Sequence, residues 1–259
     1  MDISHWSFDL VLAHFAFAAD VTTLREECRF VRAPGMAVAR YCALPFAALS
    51  FYGEEPERLR ELAAELVAPG EPFYLLLNEQ QTRIAGQAFA VAEVYPEWQM
   101  LFTGDPAALE VGAAVPLRPD DLPQMRELAA EAGLMALEGD PFRHGPAFGV
   151  WEEIRRGGDT ETRRGGGGGL RLVAMGGTHL LVPGAAEIGN IATHPTRRRR
   201  GLARQVVAAL VRAHAAEGRR VFLLTFQSNL AAVRLYERMG FERLRPMSLL
   251  RCEWGGSAN

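Results

Sequence analysis

The 259-residue sequence predicts an α/β protein built in two halves. Three observations carry this. After residue 112, apolar runs of strand length alternate with amphipathic stretches of helical period. The first half repeats the pairing more sparsely. Between them, residues 103–121 (TGDPAALEVGAAVPLRPDD) are rich in Gly, Pro, Ala and Asp, the composition of a junction. The expected division is 1–112 and 113–253.

In the first half, the spacing predicts a helix over Pro56–Val67. Leu59, Leu62, Ala63 and Leu66 recur at i, i+3, i+4 and i+7, and Pro69-Gly70 stops it. Phe73–Leu77 and Trp98–Phe102 read as strands. No catalytic constellation is visible before residue 112.

In the second half, Asp120 or Asp121 can cap a helix running to Glu131, with Gly133 as terminator. Three strands are expected next: Ala147–Trp151, Leu170–Met175 and Thr178–Val182. Residues 155–169 (RRGGDTETRRGGGGG) form a low-complexity insertion, read as a flexible hairpin loop. Pro183-Gly184 turns the chain into a strand over Glu187–Thr193. In the stretch that follows, Leu202, Val206, Val207, Leu210 and Val211 share one helical face, and Gly218 ends the helix. Val221–Phe226 reads as a strand buried on both faces. A helix over Asn229–Met239 follows, with Gly240 beyond it, and Phe241–Cys252 supplies one or two closing strands.

Composition removes several chemistries. All 28 basic side chains are arginine. Without lysine there is no Schiff-base or pyridoxal-phosphate lysine, no kinase lysine and no G-K-[ST] phosphate loop. A net charge of −3 gives no global nucleic-acid signature. Cys28, Cys42 and Cys252 are scattered, forming neither a disulfide framework nor a zinc pattern, and no close pair of metal ligands is evident. No secretory signal is seen, and no window reaches the roughly 18 apolar residues of a membrane span. The expectation is a soluble cytoplasmic protein that binds neither metal, nucleic acid nor membrane.

The turn between strand 187–193 and the helix after Gly201 carries the chemistry. The first N–H groups of a helix lack intrahelical partners, and the dipole there is positive, so such an end suits phosphate. Gly201 has no Cβ and Ala203 only a methyl, so a ligand can approach. Arg197 to Arg200 add cationic donors. The competing reading is a solvated basic run or a nucleic-acid patch. Its position, between a strand and an amphipathic helix, favours an anion site.

Arg198-Arg199-Arg200-Gly201-Leu202-Ala203 resembles the [Q/R]-x-x-G-x-[G/A] signature of the GNAT superfamily of acyl-CoA-dependent N-acetyltransferases. Asn229-x-x-Ala232-x-x-Leu235-Tyr236-x-x-x-Gly240-Phe241 is similar to that superfamily's N-x-x-A-x-x-L-Y-x-x-x-G-F segment. The two occur in the expected order, 28 residues apart from Gly201 to Asn229, with a buried strand between. The resemblance covers roughly residues 113–253. RLVAMGGTHLLVPGAAEIGNIATHP is also similar to a bacterial branch related to glycine N-acyltransferases, in which a GNAT-like half without the CoA signature comes first.

The resemblance implies a C-terminal GNAT fold, a splayed mixed sheet flanked by helices, preceded by a smaller, degenerate GNAT-like α/β half. It implies acetyl-CoA as co-substrate, lying where the sheet opens. The backbone of Ile191, Ala192 and Thr193 would pair with the pantetheine arm. The N–H groups of Arg199, Arg200, Gly201, Leu202, Ala203 and Arg204 would hold the pyrophosphate, with Arg198 lining the turn. Glu187, 14 residues before Gly201, matches the spacing of a GNAT glutamate base, or is a structural strand glutamate. Tyr236 stands at the general-acid position, or is core. The Ala192 N–H is a candidate oxyanion donor. Asn229 caps its helix and secondarily touches the CoA arm. His179 is an alternative base; His194 can be a turn residue.

The expected activity is direct acetyl transfer to an amine of a small molecule or amino acid. A longer or aryl acyl donor and a non-catalytic acyl-CoA sensor are the competing readings. The first half is either part of the substrate site or the platform of a homodimer.

Overall fold

The structure is a computed structural model; it describes residues 1–134, 137, 140–153 and 169–254. Most of the 155–169 insertion therefore lies outside the described residues. The chain divides into two compact units, 1–103 with 180–187 and 222–259, and 104–179 with 188–221.

The first unit begins with two short helices, α1 (Phe8–Ala13) and α2 (Phe15–Val21). Strands β1 (Cys28–Ala33), β2 (Met36–Tyr41) and β3 (Ala47–Tyr52) form an antiparallel meander. Helix α3 (Pro56–Ala64) carries the chain to β4 (Phe73–Asn78), which pairs parallel with β3, as a helical crossover requires. Helix α4 (Glu79–Ala88) and the long β5 (Ala90–Phe102) follow. From the end of the chain come β10 (Arg220–Phe226), α7 (Leu230–Arg238) and β11 (Phe241–Glu253). Strand β11 inserts between β4 and β5, antiparallel to both, and β10 pairs antiparallel with β5. The order is β1-β2-β3-β4-β11-β5-β10.

This sheet is covered on both faces, and side-chain alternation sorts the residues. Met36 and Val38 of β2, with Leu250 and Cys252 of β11, pack with Leu59, Leu62, Ile84 and Ala88 of α3 and α4. Ala37 and Ala39, with Met247, pack with Leu12, Phe15 and Phe17 of α1 and α2. That two-sided cover is why β2 reads Met-Ala-Val-Ala rather than alternating with polar residues.

In the second unit, α5 (Leu122–Ala132) ends on Gly133 in the left-handed conformation, as expected. Its start differs from expectation. Asp121 makes no side-chain cap to α5; its carboxylate accepts from the Arg118 N–H at 2.8 Å, closing a preceding 3₁₀ turn. The short β6 (Val115–Pro116), β7 (Ala147–Glu153), β8 (Leu170–Val182) and β9 (Ala185–Thr193) follow in the order β9-β8-β7-β6. The 15-residue α6 (Leu202–Ala216) leaves β9 through a tight turn.

Where two strands were expected over 170–182, there is one of 13 residues. Gly176 and Gly177 do not break it; they clear space on it. A Cβ on Gly176 would lie 2.4 Å from Ile191 Cδ1 and 2.9 Å from Val206 Cγ1, so glycine lets β9 and α6 side chains close over the strand. On the other face, Met175 and Ala192 meet Met125, Leu128 and Ala129 of α5. Among the described residues, no helix is long and apolar enough to cross a membrane.

Candidate functional site

In the second unit, the candidate phosphate site is the turn from β9 into α6. Asn190 has φ 54, a left-handed value unusual inside a strand, so the peptide planes rotate just before Ile191, Ala192 and Thr193. Ala192 is buried in the α5 cluster. His194 is a turn residue. Its Nδ1 accepts from the Thr196 N–H at 3.3 Å, and its Nε2 lies 3.4 Å from Glu131. His179 is exposed on β8 and packs over Gly189, whose Cβ position lies 3.2 Å from the His179 Cβ.

Two further left-handed residues, Arg199 (φ 65) and Gly201 (φ 76), frame the turn. They turn the backbone sharply between the extended Arg198 and the first turn of α6. Gly201 is the N-cap of α6, and no side chain caps that helix. The first N–H groups of this four-turn helix therefore have no side-chain cap. A Cβ on Gly201 would meet no atom within 4 Å. Glycine is favoured here by backbone conformation, and the space in front of it is open.

The four arginines divide their work, which the residue run alone did not indicate. Arg197 Nε donates to Glu152 of β7 at 2.6 Å, and Arg200 reaches the same carboxylate at 3.5 Å. Arg198 donates to two backbone carbonyls, Ala132 at 3.2 Å and Thr193 at 3.4 Å, and so braces the turn against α5 and β9. Arg199 is exposed and forms no ion pair among the described residues. Glu152 was not anticipated; only its ionic partners reveal it. Gln205, on the first turn of α6, accepts from the Ala113 N–H at 2.8 Å and fixes the end of the junction segment.

His214, also unanticipated, is fully buried on α6. Thr178 Oγ1 donates to the Pro146 carbonyl at 3.0 Å, so it accepts from His214 Nε2 at 2.9 Å. Arg219 then donates toward Nδ1 at 3.5 Å. Burial, aided by Arg219, pushes the imidazole down to about 4. This histidine is a neutral strut between α6 and β8.

In the first unit, Glu187 is 3% exposed near the start of β9. Tyr236 is 6% exposed on α7, its ring 5.8 Å from that of Phe241. Burial pushes the phenol up to about 12. Val233 and Tyr236 form the buried face of α7, at i and i+3. Asn229 is its N-cap, accepting from the Ala232 N–H at 3.2 Å.

Residues 165–252 match the model of the FR47-like protein family. A GNAT-family protein from Novosphingobium aromaticivorans superposes with a TM-score of 0.71 at 24% identity, covering 95% of this chain and 99% of its own. A GCN5-related N-acetyltransferase from Kribbella flavida gives 0.62 at 15% identity, covering 95% and 98%. A tandem GNAT protein from the clavulanic acid biosynthesis pathway gives 0.58 at 15% identity, covering 95% and 94%. No curated protein is similar enough in sequence to count as a relative. The chain thus has the fold of the GNAT acetyltransferases over nearly its whole length.

Proposed function

We propose that the protein is an acyl-CoA-dependent N-acetyltransferase that moves an acetyl group directly to an amine of a small molecule or amino acid. The observation that carries this is the bare N-terminus of α6 behind left-handed Arg199 and Gly201. Those N–H groups, from Arg199 to Arg204, would hold the pyrophosphate of acetyl-CoA, with Arg198 keeping the turn in shape. Helix dipole and fixed N–H groups suit a pyrophosphate without any lysine.

Transfer forms a C–N bond and breaks the thioester C–S bond. The attacking amine must be neutral, the carbonyl oxygen needs a donor as it gains charge, and the thiolate needs a proton. In this reading Glu187 takes the amine proton, through water, and the Ala192 N–H faces the oxyanion. Tyr236 gives its proton to the departing sulfur. The phenol holds its proton at neutral pH, the state an acid must start from, although burial, which pushes it up to about 12, also makes it a weaker donor.

The test is thiol release from acetyl-CoA across a panel of amines and amino acids, with longer and aryl acyl-CoAs in parallel. Turnover with acetyl-CoA and one amine class supports the proposal. Faster turnover with another acyl donor would reassign the acyl group. CoA binding without turnover would make the protein a sensor, and absence of both would remove the reading.

A further inference from the structure

The first unit contains a cavity of about 450 Å³ lined by none of the site residues assigned above. Its lining includes Leu10 and Ile84, His14 and Tyr52, and Glu54 and Glu55. The volume lies in the range of sites that enclose small organic ligands.

The sequence builds this cavity in a specific way. Strand β3 ends at Tyr52, and Gly53 follows with φ +134. A Cβ on Gly53 would sit 2.5 Å from Met36 Sδ and 2.6 Å from the Gly35 carbonyl, so this bend needs glycine. The bend brings Glu54 and Glu55 to the cavity immediately after Tyr52. One wall is aromatic. Tyr52 packs 4.9 Å from Trp6 and 5.2 Å from His14, centroid to centroid.

The polar groups have one sign. Gln80 donates to one oxygen of Glu54 at 2.8 Å, and Glu55 does not use its carboxylate to cap α3. Neither glutamate forms an ion pair among the described residues. His14 Nδ1 is buried without a hydrogen-bond partner among the described residues. Burial, with Arg245 beside it, holds the imidazole below its ordinary pKa, so it adds no cation at neutral pH; Arg245 itself is paired with Asp9. Two carboxylates at an aromatic and aliphatic wall fit an organic cation.

We propose that this cavity is a second ligand site, for a small ammonium ion bearing an apolar or aromatic group. The charge faces Glu54 and Glu55, and the apolar part rests on Leu10, Ile84 and Tyr52. The site does not depend on the transferase reading, since no residue is shared with it.

Isothermal titration of the full chain with phenethylamine, benzylamine and cyclohexylamine, without any CoA, tests it. At least one amine should bind. Phenethyl alcohol and phenylacetate should bind at least tenfold more weakly than phenethylamine if that is the amine held, and 0.5 M salt should weaken the amine severalfold. Glu54→Gln with Glu55→Gln should weaken it tenfold or more. Both positions are exposed, so the melting temperature should hold and a loss of binding is not a loss of fold. Undiminished binding in that double variant would put the amine elsewhere and overturn the proposal. Failure of all three amines to bind would overturn it too.

Discussion

Arg197 and Glu152 meet at 2.6 Å beside the turn that opens α6, and Arg200 shares the same carboxylate. The pairs are partly exposed, so they contribute little to stability, on the order of 0.5 kcal/mol. Their effect on a phosphate is larger, because Glu152 cancels part of the arginine charge. Glu152→Gln should leave the melting temperature within about 2 °C and tighten CoA binding severalfold at low salt. Titration in 0.5 M salt should erase that gain. Weaker binding at low salt would mean that Glu152 acts mainly by holding the turn.

Gly201 separates conformation from space. Its φ of +76 penalises any residue with a Cβ, while the Cβ direction is open. Gly201→Ala should cost about 1–2 kcal/mol in denaturant unfolding, and Gly201→Asn less. Gly201→Trp should cost a similar amount in stability yet weaken CoA by tenfold or more. Equal CoA affinity in the Ala and Trp variants would move the pyrophosphate elsewhere.

Tyr236→Phe removes a hydroxyl from a buried ring. If the phenol protonates the leaving sulfur, kcat should fall by about 10²-fold or more with CoA affinity unchanged. Steady-state kinetics paired with CoA titration distinguish this from a packing defect, which would lower thermal stability first.

His214 makes stability depend on pH. Held neutral in the fold down to about pH 4, it protonates near 6.5 once unfolded. Between those values the unfolded chain binds more protons. Its contribution is complete above pH 6.5 and is lost as pH falls toward 4. Relative to His214→Gln, the wild type should lose on the order of 3 kcal/mol across that window, measured by urea unfolding at several pH values. A parallel pair of curves would disprove the assignment.

Asp20 runs in the opposite direction. It is buried on α2, accepting from the Ser50 hydroxyl and from the Cys28 thiol at 3.4 Å. Burial pushes its carboxyl up to about 6, against those two hydrogen bonds. The fold therefore favours the protonated acid, and that advantage disappears as pH rises from about 4 through 6. Asp20→Asn should become progressively more stable relative to wild type over that range.

How much of this was legible depended on what kind of signal each segment carries. Periodicity located α6 because Val206, Val207, Leu210 and Val211 repeat with the helix and are all buried. Two strands, Leu170–Met175 and Thr178–Val182, are expected where β8 is continuous, because the role of Gly176 is set by the close approach of Ile191 and Val206 from other elements. Helix α4 went unread, although Asn78 and Gln81 form a capping box at its start. The three strands before α3 are short, and β2 shows no alternation because both its faces are covered. Within the candidate site, the capping asparagine follows from residue type, whereas Gly201, expected to give room for a ligand, proves to hold a left-handed backbone. The division of Arg197 to Arg200 among Glu152 and two carbonyls was not legible, since those partners lie on β7, β9 and α5.

The position of β11 has a consequence for how the polypeptide acquires its structure. The strand order β4-β11-β5 means that residues 73–78 and 90–102 cannot complete their ladders until residues 241–253 have left the ribosome. Until then β4 and β5 present open edges to any other nascent strand. A ribosome-bound chain stalled before residue 241 should be sensitive to protease across residues 73–102 and should become resistant only once residues 241–253 have emerged.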